Sequence, residues 1–518
     1  MNFPEIIYDK KPQWLQLYRC AWETCLQKID YDSPGKGNPP IMTCMPGVLT
    51  IWQWDSCFMA MYAKYSNGII APMNNLDLLY SFQREDGYIS MAYSLPDGKE
   101  RYGERVNPPL FAWVEYDYYR FTGDASRIAR VYPILKKYFF WLKNNRRRKH
   151  ELYFFEDTGS SGMDNSPRSG YAAKFQDGSD VCWIDMACQQ IISANFIAKL
   201  AKVAGKHDIA ATFTGEAKSL AETVNAHHYK STTGFYYDVF NPTDNALANK
   251  TVAGFWPLLA QITDSERTRS LIKHLTDPAE FWTEHPVPSL SADDPNFVPD
   301  GGYWLGSVWA PTNYMVVKGL QANGYCALAR EISMKHLEMM AQTADNPAFD
   351  NIWECYSPTA ARPATRGKKE NQNGMLVRDR FVGWSALGPV AMFIENILGL
   401  DFNGAENVIN WHISSNHRHG IENFRFAGNS VFPNGKLKMT LQIPQNSGVL
   451  EIHGDTAVGA PEFAAEFNGK AFTLNFDSDG KAVLPIEEAG SQLALTLHKS
   501  SGTALFPAFR AVRVLKNN

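Results

Sequence analysis

No stretch of this 518-residue chain is long and apolar enough to cross a bilayer. The amino terminus, "MNFPEIIYDKKPQWLQLYRC", lacks the basic start and apolar core of a secretory signal. A cytoplasmic protein is expected, or a periplasmic one if a leader has been removed. The chain also lacks a surplus of positive charge. Fifty basic residues face 54 acidic ones, a net charge of -4, which argues against a nucleic-acid groove. The only basic cluster, "NNRRRKH" at 144–150, follows a helical pattern, where cations suit the negative end of the helix dipole. The eight cysteines form no CxxC pair, so neither a zinc ribbon nor a dithiol redox motif is indicated. EF-hand spacing is missing as well. The cluster Asp293, Asp294 and Asp300 reads as a solvated acidic loop, with calcium as the alternative. His417 and His419 read as turn and interface residues rather than metal ligands, and "NKT" at Asn249 fits a glycosylation acceptor. No cofactor and no metal are therefore expected, and nothing in the sequence sets an oligomeric state.

What the chain has in excess is aromatic residues, 13%, with 14 Trp. Either the core is unusually aromatic, or some rings serve as platforms for sugars. From about residue 10 to residue 400 the pattern is helical. Three segments read as helix, turn, helix, turning at Gly123, Gly205 and Gly324, where glycine can take the left-handed conformation that ends a helix. Asp124 and Asp208 are placed to cap the second helix in two of them. "TDPAEFW" carries a further start signal, with Asp277 as cap and Pro278 at the first helical position. Repeated helical hairpins predict a toroid of helix pairs or an α-solenoid. From about residue 405 the texture changes to short alternating segments such as "GKLKMTLQIP", "GVLEIHG", "KAFTLNF", "QLALTLHK" and "FRAVRVL". The expected organisation is a helical domain over 1–404 and a small antiparallel β domain over 405–518.

Loops held on a rigid scaffold carry function more often than the scaffold does. The loops that mix Trp, carboxylates and turn formers are therefore the informative ones. They supply Trp52, Trp54 and Asp55; Asn107 before a Pro pair; Asp164 in "TGSSGMDNSPRSG"; Trp183 and Asp185; Trp304 and Trp309; Trp353 and Glu354; and Trp384. Asp164 sits in the most polar of these loops. Glu354 lies between Trp353 and Cys355, where poor solvation would tune a carboxyl for proton transfer. Cleavage between sugars needs two acids, one protonating the leaving oxygen and one acting on the opposite face of the ring. Asp164 with Glu354 is one such pair; from the residues alone, Asp55 and Asp185 are equally eligible.

"SGMDNSPR", "YWLGSVWAPTNYMVVKGL", "WECYSP" and "FVGWSALGP", in that order, resemble glycoside hydrolase family 63 and its clan relatives, the trehalases among them. Within that family the loop "SGMDNSPR" is most similar to short bacterial mannosylglycerate hydrolases and related α-glycosidases. The resemblance runs from about Trp52 to Leu400. It implies an (α/α)6 barrel followed by a small C-terminal antiparallel β-sandwich, and inverting hydrolysis of an α-linked sugar in a small glycoside or oligosaccharide. By the same resemblance Asp164 falls on the general acid and Glu354 on the general base. Trp52, Trp54 and Asp55 fall on the segment that holds the terminal sugar. Asp185, Tyr303, Trp304, Trp309 and Trp384 fall on pocket-lining segments, and Asn107, Trp183 and Trp353, from the informative loops, join them as candidate sugar contacts. The chain departs from the family pattern at Asn107 (usually Gln), Leu305 (often Arg) and Cys355 (often Asn). Losing that Arg weakens the case for a carboxylated aglycone. Two rivals follow from other classes: a sugar epimerase or isomerase, which would lean on histidine, and a non-catalytic carbohydrate-binding protein, which needs no facing acids.

Overall fold

The protein is described by a computed structural model covering residues 3–32, 39–44, 49–169, 178–367, 374–406, 408–412 and 417–424, with the backbone of six further strands beyond. Among these residues the chain is mainly helical. The twelve helices of five or more residues are α1 (Pro12–Leu26), α2 (Gln53–Ala63), α3 (Asn74–Ser81), α4 (Phe111–Thr122), α5 (Ser126–Asn145), α6 (Ile184–Val203), α7 (His207–His227), α8 (Trp256–Ala260), α9 (Ser265–Leu275), α10 (Ala310–Ala322), α11 (Cys326–Ala344) and α12 (Gly388–Ile397). Helix α12 is wound wide, with Leu398 N–H reaching the Phe393 carbonyl five residues back. None of them is long and apolar enough to cross a membrane.

Two kinds of helix are present. Every residue of α2 and of α12 is buried, as is most of α6 and α10. Helices apolar all round belong inside a molecule. By contrast, α7 buries one stripe, Ala210, Phe213, Ala217 and Val224, and α9 buries Thr268, Leu271 and Leu275. The buried helices, with α4 and α8 between them, contact in succession: α2 with α4, α4 with α6, α6 with α8, α8 with α10, α10 with α12, and α12 with α2. Helices α5 and α7 contact α6, and α11 contacts α10 and α12. The expected turns are present, with Gly123 ending α4 at φ +72° and Gly205 and Gly324 acting alike. Neither Asp is the N-cap residue: Asp124 lies one residue before it and accepts the Ser126 N–H at 2.8 Å, and Asp208 lies inside the first turn of α7. The start signal at Asp277 fails: the segment is a turn, with Asp277 accepting the Ala279 N–H at 2.9 Å. Pro286 and Pro288 follow closely and preclude a helix of useful length.

Among the described residues, all the strands pair antiparallel in small open sheets. Leu400–Asn403, Val408–His412, Gln492–His498, Glu462–Phe467 and Lys470–Thr473 form one sheet of five, in that order. Glu5–Tyr8 pairs with His419–Phe424, so the first strand of the chain joins a sheet otherwise built by its last third. His419 is buried there, its Nδ1 2.7 Å from the His417 carbonyl. The segment "FRAVRVL" lies outside the described residues. All eight cysteines are free, and most are buried.

Candidate active site

Three helices of the buried set begin alike. Trp52, Trp183 and Trp309 are each extended, and α2, α6 and α10 start at the next residue. Thr50–Trp52 is pinned by Ala92–Ser94, and Val181–Cys182 by Val239–Phe240. The helix N-termini and the loops beside them carry the candidate residues.

The loop bearing Asp164 is held by its own polar side chains. Asp157 accepts the Ser160 N–H at 2.7 Å, Ser161 Oγ donates to the Thr158 carbonyl at 2.8 Å, and Thr158 Oγ1 donates to the Asp164 carbonyl at 2.6 Å. These contacts assign the turn formers their task, which is to satisfy a backbone that makes neither helix nor sheet. Gly162, at φ +81°, lies against Trp54 so closely that a Cβ would sit 2.4 Å from the indole. Only glycine fits. Asn165 then ties the loop to the facing segment, donating to the Gly302 carbonyl at 3.0 Å and accepting the Trp304 N–H at 2.8 Å. Asp164 between them is half-buried.

On that facing segment Tyr303, also at positive φ (+66°), donates its hydroxyl to Glu354 Oε1 at 2.8 Å. Arg378 Nη1 donates to the same oxygen at 2.6 Å, a charge-assisted bond. The Glu354 backbone is fixed as well, its carbonyl taking the Trp384 indole N–H at 2.9 Å and its N–H donating to the Arg378 carbonyl at 2.9 Å. Glu354 is 1% exposed. Its sequence neighbours imply an apolar setting, but Tyr303 and Arg378 give it two polar partners.

Asp55, in the first turn of α2, is buried too. Burial above all, then the charges of Glu354 and Asp164, hold its carboxyl well above the usual carboxylate range, against a backbone hydrogen bond and Arg378. Desolvation and the same two carboxylates push the Tyr303 hydroxyl up. Asp55, Asp164, Tyr303, Glu354 and Arg378 therefore share one electrostatic neighbourhood.

The remaining candidates sort by what they touch. Trp304 and Trp309 stack with centroids 4.0 Å apart, and Trp54 and Trp384 pack around them in a buried aromatic cluster. Trp52, stacked on Tyr102, and Trp353 are only partly buried. Asn107 donates to the Ser160 carbonyl at 3.0 Å and so braces the acid loop. Trp183 is wholly buried, its indole N–H on the Gly178 carbonyl. Asp185 is engaged elsewhere: Arg168, fully buried, grips Asp185 and Asp238 together, with Nη2 at 2.9 and 2.7 Å from one oxygen of each. In the acidic loop, Asp293 is bonded to Lys250 and Ser291, and Asp294 to Asn249. A separate groove of about 840 Å³ beside α5, lined by Asp86, Tyr132, Lys137 and Trp141, borders neither acid.

Residues 49–373 match the family model of the mannosylglycerate hydrolase MGH1-like glycoside hydrolase domain. The chain belongs to this glycoside hydrolase family. An uncharacterized protein of Borreliella burgdorferi is 30% identical over 435 residues, covering 82% of this chain and 86% of its own. A probable mannosyl-oligosaccharide glucosidase of Schizosaccharomyces pombe is 23% identical over 291 residues, 50% of this chain and 33% of that protein. Among solved structures, the family 63 mannosylglycerate hydrolase of Thermus thermophilus in complex with glucose superposes with a TM-score of 0.59 at 20% identity, covering 72% of this chain and 99% of that one. The fold is thus shared with a glycosidase of the same family.

Arg378, Arg168, Tyr102 and Thr158 are not singled out by the sequence of this glycoside hydrolase. Arg168 closes the "SGMDNSPR" stretch, and that position is the available signal. Asp55 yields a pH prediction. Below about pH 4 the unfolded Asp is protonated as well, so its burial carries no penalty. As pH rises the unfolded chain loses this proton while folded Asp55 keeps its own, and stability falls until the folded group ionises. Asp55→Asn is expected to melt at the parent temperature near pH 4 and above it at pH 8. Thermal melts across that range check the sign, and a variant less stable than its parent at pH 8 contradicts it.

Proposed function

We propose that this glycoside hydrolase is an exo-acting, inverting α-glycosidase that removes a terminal α-linked glucose or mannose from a small glycoside or oligosaccharide. Asp164 delivers a proton to the leaving oxygen. Glu354 takes a proton from water, which attacks the anomeric carbon from the opposite face. The observation that carries this reading is the Tyr303 junction. Its hydroxyl bonds Glu354, while the adjoining Gly302 and Trp304 backbone bonds Asn165, the neighbour of Asp164. One short segment thereby contacts Glu354 and the residue next to Asp164, which supports pairing the two acids. Inversion requires their carboxyls to lie about 6.5–9.5 Å apart, with room for one water. Asp55, Trp52 and Trp353 are assigned to the sugar, and Trp54, Trp304, Trp309 and Trp384 to the wall behind it. Trp183 and Asp185 are reassigned from the pocket to its support.

We read the α2–α4–α6–α8–α10–α12 circuit as the inner ring of an (α/α)6 barrel, supported by its return from α12 to α2. The strands from residue 405 onward are read as a β-sandwich domain, joined by Leu400–Asn403 and by Glu5–Tyr8. The test of function is a screen of α-linked disaccharides and glycosyl-glycerates for newly freed reducing sugar. Release of glucose or mannose is expected from at least one. Conversion to an isomer without hydrolysis, or no turnover across the panel, overturns the reading.

A further inference from the structure

Away from the acids, three segments meet at His150, His227 and Asp244. His150 lies in the turn after α5, His227 is the last residue of α7, and Asp244 is in the turn between Val239–Phe240 and Asn245–Ala246. His150 Nε2 is 2.9 Å, and His227 Nδ1 3.2 Å, from the same oxygen, Asp244 Oδ2. The three donor atoms lie within 4.8 Å of one another. The two imidazoles stack at 4.1 Å. His150 and Asp244 both adopt positive φ, +57° and +61°, the left-handed region that His and Asp enter more readily than most residues.

We infer that His150, His227 and Asp244 form a binding site for a divalent transition metal of the zinc class. Two imidazoles and a carboxylate are ordinary ligands for such ions. Four ligands held at zinc–ligand distances are spaced about 3.3 Å apart in a tetrahedron, close to the two nitrogen–oxygen distances observed. Binding needs both of these ring nitrogens unprotonated, so the affinity for the ion falls as the pH is lowered. The side chains are 34, 24 and 30% exposed, which leaves the fourth position to water. No spacing signal marks the trio in the sequence, because each ligand comes from a different segment of the chain.

The ion acts as a clip. The Asp244 hairpin strand Val239–Phe240 pairs with Val181–Cys182 ahead of α6, and Asp238, at the start of that strand, is gripped by Arg168 behind the acid loop. Holding the hairpin to α5 and α7 therefore stiffens the support of the site. The clip is independent of the identity of the sugar and of the hydrolytic mechanism.

The experiment is calorimetric titration of zinc into the chelator-stripped full-length protein, with thermal melts in parallel. One zinc per chain is expected, with a dissociation constant of about 10 μM or lower and a melting temperature that rises with zinc concentration. His227→Ala and Asp244→Ala should each weaken the affinity at least about tenfold, while His274→Ala, at a separate His–Glu pair, should leave it unchanged. Circular dichroism verifies that the variants fold, and Asp244→Asn keeps the test open if Asp244→Ala does not. Binding weaker than about 10 μM, or affinity unaltered in the His227 and Asp244 variants, overturns the site.

Discussion

Glu354→Gln and Asp164→Asn are each expected to lower kcat by about 10²- to 10⁴-fold, the range that a positioned acid or base contributes, with little change in melting temperature. Glu354→Gln is isosteric and can still accept from Tyr303 and from Arg378, which is 35% exposed and has access to water if its pair weakens. The two variants should separate by substrate. A leaving group that needs no proton, such as fluoride or a dinitrophenolate, spares the acid but not the base. Turnover of an activated glycoside should therefore return toward the parental rate in Asp164→Asn and stay depressed in Glu354→Gln. Near-parental kcat in either variant on an unactivated glycoside would remove that residue from its role.

The largest effect on stability is expected at Arg168. This side chain is 0% exposed and satisfies Asp185 and Asp238, at 1 and 4% exposure. Arg168→Met leaves two carboxylates facing each other out of water, and breaking a buried ion pair in this way costs about 3–5 kcal/mol. Lysine cannot fork to two carboxylates, so Arg168→Lys is expected to restore little of the loss. Activity falls too, because Arg168 Nη1 also contacts Met163 Sδ at 3.4 Å, one residue before Asp164. Denaturant melts compare the three proteins, and a lysine variant as stable as the parent would contradict the reading of Arg168 as a two-sided clamp.

The helical hairpins could be read from local signals, since Gly123, Gly205 and Gly324 need only their own φ to end a helix. The alternating segments at 437–441, 448–451, 470–473 and 492–498 likewise declared themselves as strands. Local signals misled at Asp277, where a helix start without a following helix became a turn. The pairing of Glu5–Tyr8 with His419–Phe424 had no local signature, because register between segments so far apart is set by packing. At the site, the polar loop around Asp164 was conspicuous in the sequence, and its stiffening by Asp157, Thr158 and Ser161 follows from those residue types. What could not be read was which acids are already spoken for. Asp185 and Asp55 look alike in sequence, each in the first turn of a buried helix after a Trp. Arg168 reaches the first, and burial beside two carboxylates defines the second.

Proton NMR of the first sugar released from an α-linked substrate tests the central claim most directly. If Asp164 and Glu354 work on opposite faces of the ring with one water between them, the β-anomer appears first and mutarotates later. Initial appearance of the α-anomer would mean a covalent route with a nucleophilic carboxylate, and would contradict the account.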